Sequence, residues 1–132
     1  LLGKNNLEFS FSGLKTALLY YMKNLDESEN NNNMNDIAAS YQSAVVDVLI
    51  TKLKNALELT AINTCVIAGG VGANKILRES AIIHLAPAKV HFPSLPLCTD
   101  NAAMVAYLGE LKLIAGKNSS LSFPVLPNLS LT

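Results

Sequence analysis

The first part of the chain alternates between apolar and polar residues and then changes its period. Leu7, Phe9 and Phe11 are separated by polar residues. This period of two predicts a strand with one buried face, and Gly13 predicts the turn that ends it. From Leu14 onward, apolar residues recur every three or four positions, which predicts an amphipathic helix. Its apolar positions are Leu14, Ala17, Leu18, Tyr21, Met22 and Leu25.

A polar segment separates this helix from a longer one. Residues 26–35 include four consecutive Asn, and this composition predicts an exposed Asn-rich loop without a functional role. Asn35 or Asp36 is then predicted to cap a helix that runs to about Leu59. The apolar side of that helix is Ile37, Tyr41, Val45, Val48, Leu49, Leu53, Ala56 and Leu57.

The second half of the chain continues the order of strand and helix. Short apolar runs bounded by Gly and Pro predict strands, and three-and-four spacing predicts helices. The predicted elements are strands at 64–68 and 89–92, helices at 73–84 and 102–115, and an irregular tail after Gly116. Strands that alternate with helices predict an α/β layer architecture, in which ligands bind at the carboxyl ends of strands.

The turn after the first of these strands is a candidate ligand site. Gly69 and Gly70 lack Cβ atoms and precede a helix start, so a ligand can approach the backbone there. Free N–H groups at a helix N-terminus suit a phosphate, and Asn74 offers a donor and an acceptor to a ribose or base. A tight turn without a ligand is the alternative. The residues exclude a P-loop, and Lys75 stands where a dinucleotide fingerprint needs its third glycine.

The CTDN segment places a carboxylate just before the last predicted helix. Asp100 either caps that helix or binds a cation, and capping is the commoner use of such a residue. His84 and His91 are seven positions apart and lie on a predicted helix and a predicted strand. They therefore lack the spacing that places two metal ligands on one helix face.

Composition and charge narrow the class of protein. The 132 residues are 50% hydrophobic with a mean hydropathy of +0.30, which suits one domain with surplus apolar surface for a partner. Ten basic and ten acidic residues cancel, so no overall positive field attracts a polynucleotide. Asp47 and Lys52 interrupt the most hydrophobic stretch, and a soluble chain without a membrane span is expected.

The cysteines and the first residue give two further expectations. Cys65 and Cys98 show neither metal-ligand spacing nor a disulfide framework, which fits a reducing cytoplasm, and Cys65 is predicted to be a buried thiol. The chain starts at Leu1 and runs at once into a patterned segment. We therefore expect a piece of a longer polypeptide, without a targeting peptide.

Four segments in order resemble one known family. They are FSFSGLKTAL, DIAASYQSAVVDVL, VIAGGVGANKILR and FPSLPLCTDNAAMVAY. Over residues 7–113 the chain is similar to the tRNA N6-adenosine threonylcarbamoyltransferases (TsaD/Gcp/OSGEP). The resemblance implies the actin-like ATPase fold (ASKHA, ribonuclease H-like), built from two related α/β domains. Residues 1–132 would form the second domain, the C-terminal half, with a mixed sheet flanked by helices.

The same resemblance implies an activity and a site. Such proteins move a threonylcarbamoyl group from threonylcarbamoyl adenylate to N6 of the adenosine that follows the anticodon, in tRNAs that read codons beginning with A, and release AMP. By position, Asn74 would contact the nucleoside of the adenylate, and Gly69 and Gly70 would line the same pocket. Asp100 would be a ligand of one divalent metal ion, with iron expected and zinc or magnesium as alternatives.

The departures from the family pattern concern the metal. Its two histidine ligands lie in an H-x-x-x-H motif of the first domain, and these residues contain no such motif. We therefore expect the chain to be inactive alone. The resemblance also implies tRNA, a paralogous actin-like subunit and an ATPase subunit as partners, and a cytoplasmic location. Two alternatives are a non-catalytic half-domain that binds a nucleotide or partner, and an actin-like small-molecule kinase.

Overall fold

The structure, a computed structural model, describes residues 6–122 apart from the side chains of residues 27–32. The chain divides into two compact units between Thr99 and Asp100. The first unit contains helices α1 (Phe11–Lys23), α2 (Glu27–Thr60) and α3 (Lys75–His84), and strands β1 (Thr64–Val66) and β2 (Lys89–His91). Short 3₁₀ turns lie at Gly70–Ala73 and Leu95–Leu97, and the second unit contains helix α4 (Ala102–Ile114).

The predicted strand at the start of the chain is wrong. Helix α1 already begins at Phe11, because the Ser10 hydroxyl accepts a hydrogen bond from the Gly13 N–H at 3.1 Å and caps the helix. Within residues 6–122, β1 and β2 form the sheet, so the segment before α1 has no strand to pair with. It lies instead against α2, where the Lys52 ammonium donates to the Asn6 carbonyl.

The Asn-rich segment is helical, so the predicted loop at 26–35 and the predicted caps at Asn35 and Asp36 are wrong. Helix α2 begins at Glu27 and runs for 34 residues. Each residue added to an existing helix gains a backbone hydrogen bond, so a long helix can extend through residues of weak helix propensity. The predicted end near Leu59 is confirmed, since α2 ends at Thr60.

A small parallel sheet organises the rest of the first unit. Cys65 of β1 pairs with Val90 of β2, and α3 is the crossover that a parallel connection requires. The expected mixed sheet is wrong for residues 6–122, where the sheet is two-stranded and parallel. Side chains of α2 and α3 form the core with those of the strands. The buried cluster is Val46, Ile50, Leu77, Ala81 and Leu85, against which Cys65, Ile67, Val90 and Phe92 pack.

The second unit confirms the last predicted helix. Asn101 begins α4, because its side-chain oxygen accepts from the Met104 N–H at 3.0 Å. Gly116, with a φ of 69°, follows the helix, and residues 117–122 form no regular element. The rest of the predicted irregular tail lies outside the described residues. In the part of the chain that the structure describes, no helix combines the length and apolar character needed to cross a membrane.

Candidate functional site

The turn after β1 contains glycines that the backbone itself requires. Gly69 has a φ of 82°, a conformation that residues with a Cβ rarely adopt. At Gly72 a Cβ atom would lie 3.2 Å from the Ile67 carbonyl oxygen, which is tighter than an ordinary contact. Backbone geometry and close packing therefore account for these two glycines.

Gly70 differs from its neighbours. It is exposed, its φ is not positive, and a Cβ built there meets no atom within 4 Å. Neither strain nor crowding requires glycine at this position. The backbone of the turn is thus open on one side, which is the condition for a ligand to approach it closely.

Asn74 is held in one orientation by two hydrogen bonds. Its Oδ1 accepts from the Leu77 N–H at 3.0 Å and so caps α3. Its Nδ2 donates to Oε1 of Gln42 on α2 at 3.2 Å. A primary amide has two donor hydrogens and two acceptor lone pairs. After these two bonds, Asn74 retains one donor and one acceptor in a fixed direction.

The same asparagine lines a cavity of about 430 Å³. Apolar side chains of α1 and α2, among them Leu18, Met22 and Val45, form most of its wall. Gln42 and Asn74 contribute amide groups to it, and Val71 closes one side from the turn. Small-molecule sites typically combine apolar walls with a few convergent polar groups. The cavity therefore suits a flat apolar group with hydrogen-bonding edges, such as a nucleobase.

The predicted binding residues are close in sequence but differ in their surroundings. Asn74 lies in the wall of the cavity and is half-buried. Gly69 and Gly70 are exposed at the beginning of the turn, and Val71 rather than either glycine lines the cavity. The structure therefore places an amide at the cavity and two open backbone positions shortly before it in the chain.

Arg78 connects the glycine turn to the loop that follows β2. Its Nε donates to the Gly72 carbonyl at 2.7 Å, and its Nη2 donates to the Pro93 carbonyl at 2.8 Å and to the Cys98 sulfur at 3.1 Å. The guanidinium carbon lies 4.8 Å from the centroid of the Phe92 ring. Sequence reasoning did not single out Arg78 or Gln42. A signal existed for Arg78, because helix side chains point toward the N-terminus and this arginine lies one turn into α3.

Asp100 lies in the second unit, at an exposed position. The capping role considered for it is wrong, since Asn101 is the cap of α4. Within residues 6–122 no three side chains of His, Cys, Asp or Glu are grouped so that they could bind a metal ion. Asp100 is a single carboxylate donor, and structural or catalytic metal sites need several ligands. The described residues therefore do not fit a metal centre by themselves.

The cysteines are free. Cys65 is half-buried against the core, and this burial raises the pKa of its thiol above the ordinary value, so the thiol stays protonated near neutral pH. Cys98 is buried beside Arg78. Cys65 is thus less buried than the sequence predicted.

Comparison with known proteins assigns this α/β chain to a family. Residues 2–107 match the sequence profile of the tRNA N6-adenosine threonylcarbamoyltransferases (TsaD). The match covers most of the chain, and the chain belongs to this family.

Curated relatives that carry this name are similar along almost the whole chain. The protein of Dehalococcoides mccartyi is 46% identical over 125 residues, which is 95% of this chain and 37% of the relative. That of Kosmotoga olearia is 43% identical over 130 residues, 97% of this chain and 38% of the relative. That of Streptococcus pneumoniae is 47% identical over 104 residues, 79% of this chain and 31% of the relative. The chain thus spans about a third of the length of these relatives, between 31% and 38%.

Proposed function

We propose that this chain is the second α/β domain of an actin-like, two-domain transferase. The enzyme would move a threonylcarbamoyl group from threonylcarbamoyl adenylate to N6 of the adenosine after the anticodon, in tRNAs that read codons beginning with A. Family membership supports the reaction. The observation that carries the proposal is the placement of Asn74, whose oriented amide lies in the wall of an apolar cavity of about 430 Å³.

The residues of this chain would hold the adenylate and its AMP product. The apolar walls would receive the adenine, and the remaining donor and acceptor of Asn74 would bond the nucleoside. Gly69 and Gly70 would let the substrate approach the backbone of the turn, where the side facing solvent is open. In the transfer, the bond between the carbamoyl carbon and the phosphate oxygen breaks, a bond from that carbon to N6 forms, and N6 loses a proton.

Asp100 would supply one ligand to a divalent metal ion, which we propose to be iron, with zinc or magnesium as alternatives. The other ligands would have to come from outside residues 6–122, because these residues contain no group of three candidate ligands. A metal site that lacks most of its donors binds weakly. The chain alone is therefore proposed to be inactive.

Charge bears on how tRNA would be bound. The formal net charge of the chain is +0, so it does not itself create the positive field that draws in a polyanion. Other parts of the complete protein, or its partners, would supply that charge. We propose a paralogous actin-like subunit and an ATPase subunit as those partners, in the cytoplasm.

The test uses the complete gene product, purified with its partner subunits and incubated with threonylcarbamoyl adenylate and tRNA. The digested tRNA is analysed by liquid chromatography and mass spectrometry, and released AMP is measured in parallel. The expected result is threonylcarbamoyladenosine beside the anticodon, with one AMP for each group transferred. Absence of the modified nucleoside, or phosphorylation of a small molecule by ATP instead, would contradict the proposal.

A further inference from the structure

Two loops leave the same edge of the sheet, because the carboxyl ends of parallel strands lie together. One is the glycine turn after β1, and the other is the loop after β2. Arg78 contacts both of them. We propose that Arg78 is a positioning residue for the transfer reaction, an inference that rests on the proposed function. It acts by fixing the glycine turn, and with it Asn74, against the loop after β2.

The geometry of the guanidinium group supports this role. One planar cation donates to a carbonyl in each loop, through Nε to Gly72 and through Nη2 to Pro93. The Phe92 ring lies against it at a distance suited to a cation–π contact. Hydrogen bonds from a charged donor are stronger than those between neutral groups. The two loops are therefore joined by a single rigid group.

The side-chain contacts of Arg78 extend along both loops of the first unit. Gly72, whose carbonyl accepts from Nε, lies two residues before Asn74. The backbone N–H of residue 78 also donates to the Asn74 carbonyl at 3.1 Å, a helix bond that does not depend on the side chain. On the other side, Nη2 also donates to the sulfur of Cys98, which is buried and lies two residues before Asp100 in the sequence. Arg78 thus holds the turn that contains Asn74 and the loop as far as Cys98.

A lysine cannot reproduce this arrangement. Its ammonium is a compact charge without the planar fork of donors, so it can bond one carbonyl well but cannot join two in fixed directions. A methionine fills similar volume and leaves both carbonyls without their charged donor. Arg78→Lys should therefore impair positioning partly, and Arg78→Met should impair it more.

The experiment measures transfer to tRNA by the complete gene product with its partners, for wild type, Arg78→Met, Arg78→Lys and the control Lys75→Met. Lys75 lies on the same helix, and its ammonium is exposed and 3.8 Å from Glu79. The folded fraction of each preparation is measured by thermal unfolding, and kcat and KM for the adenylate are expressed per folded molecule. A role in stability alone would reduce the number of active molecules without changing KM.

The expected result is a rise in KM for the adenylate and a fall in kcat/KM of about tenfold to a hundredfold for Arg78→Met, since small misplacements have effects of this size. Arg78→Lys should lie between wild type and Arg78→Met, and Lys75→Met should match wild type. An active wild type with unchanged KM and kcat/KM in folded Arg78→Met would overturn this inference and leave the proposed function intact.

The remaining outcomes are also decisive. Should Arg78→Met not fold, Arg78→Lys decides by the same criterion. Should neither variant fold, the arginine serves stability, and the positioning role is rejected. An inactive wild type would instead refute the proposed function, on which this inference depends.

Discussion

The starts of α3 and α4 use the same residue in the same way but differ in what surrounds it. Asn74 and Asn101 each accept a hydrogen bond at 3.0 Å from the N–H three residues later. Asn74 in addition donates to Gln42 and lines a cavity, whereas Asn101 precedes a helix with exposed apolar residues such as Val105 and Leu108. A cap by itself is therefore a local structural feature, and the cavity that Asn74 lines makes that residue a candidate for binding.

The largest expected effect concerns the carboxylate next to the cap of α4. Asp100→Ala in the complete gene product should lower transfer to tRNA by on the order of a thousandfold, because the proposed metal site loses a ligand. Metal content per polypeptide should fall in parallel, measured by elemental analysis. The control Glu110→Gln changes an exposed carboxylate on α4 and should keep both values. Unchanged metal content and transfer in Asp100→Ala would reject the proposed ligand.

The next effect tests the bond from Asn74 to Gln42, which lies in the wall of the cavity. Gln42→Met removes the acceptor of the Asn74 amide but leaves the cap intact. We expect kcat/KM for the adenylate to fall about fivefold, since a neutral hydrogen bond of this kind contributes roughly 1 kcal/mol. Ser43→Ala, at an exposed neighbouring position of α2, should match wild type. Equal kinetics for the two variants would show that the Gln42 bond does not orient Asn74 for binding.

Substitutions at two glycines of the turn distinguish a role in ligand binding from a role in packing. Gly72→Ala should lower the free energy of unfolding by about 1–3 kcal/mol, because its Cβ would press on the Ile67 carbonyl. Gly70→Ala should change it by less than about 0.5 kcal/mol, since its Cβ meets open space. Denaturant unfolding measures both. If Gly70→Ala also binds the adenylate as tightly as wild type, no ligand approaches the turn there.

The smallest effect is expected within α4. Gly109 is helical, and a Cβ built on it meets no atom within 4 Å. Gly109→Ala should raise the free energy of unfolding by roughly 0.5–1 kcal/mol, because alanine loses less backbone entropy in a helix. The thermal midpoint is the measurement, and KM for the adenylate should not change. A lower midpoint would indicate that an unrecognised neighbour needs the space beside Gly109.

The elements that were predicted well are those whose ends are determined by residues adjacent in sequence. Helices α3 and α4 and both strands occur within one or two residues of the predicted limits, because apolar periodicity ends there at Gly, Asn or Pro. The predictions for the segment before α1 and for the Asn-rich segment were wrong, because the conformations of these segments depend on more than the pattern of apolar and polar residues. A strand needs a pairing partner, and a helix, once formed, can extend through residues of weak propensity.

The residues of the candidate site also differ in whether the sequence could predict them. Gly69, Gly70 and Asn74 could be proposed from a strand, a glycine pair and a helix start that are adjacent in sequence. Gln42 could not, because its partner lies far along the chain. For Arg78 only its position one turn into α3 could be read from the sequence, since Pro93 and Cys98 lie far along the chain. The Asn74–Gln42 bond spans 32 residues, and the contact of Arg78 with Cys98 spans 20. Only a fold brings such pairs together.

A titration that compares the two caps tests directly whether Asn74 binds the nucleotide. The complete gene product is titrated calorimetrically with AMP as wild type, Asn74→Asp and Asn101→Asp. Aspartate keeps each cap, but at position 74 it removes the amide donor. We expect Asn101→Asp to bind AMP like wild type and Asn74→Asp to bind it about tenfold more weakly. Equal affinity in all three proteins would contradict the claim that Asn74 is a binding residue rather than a cap alone.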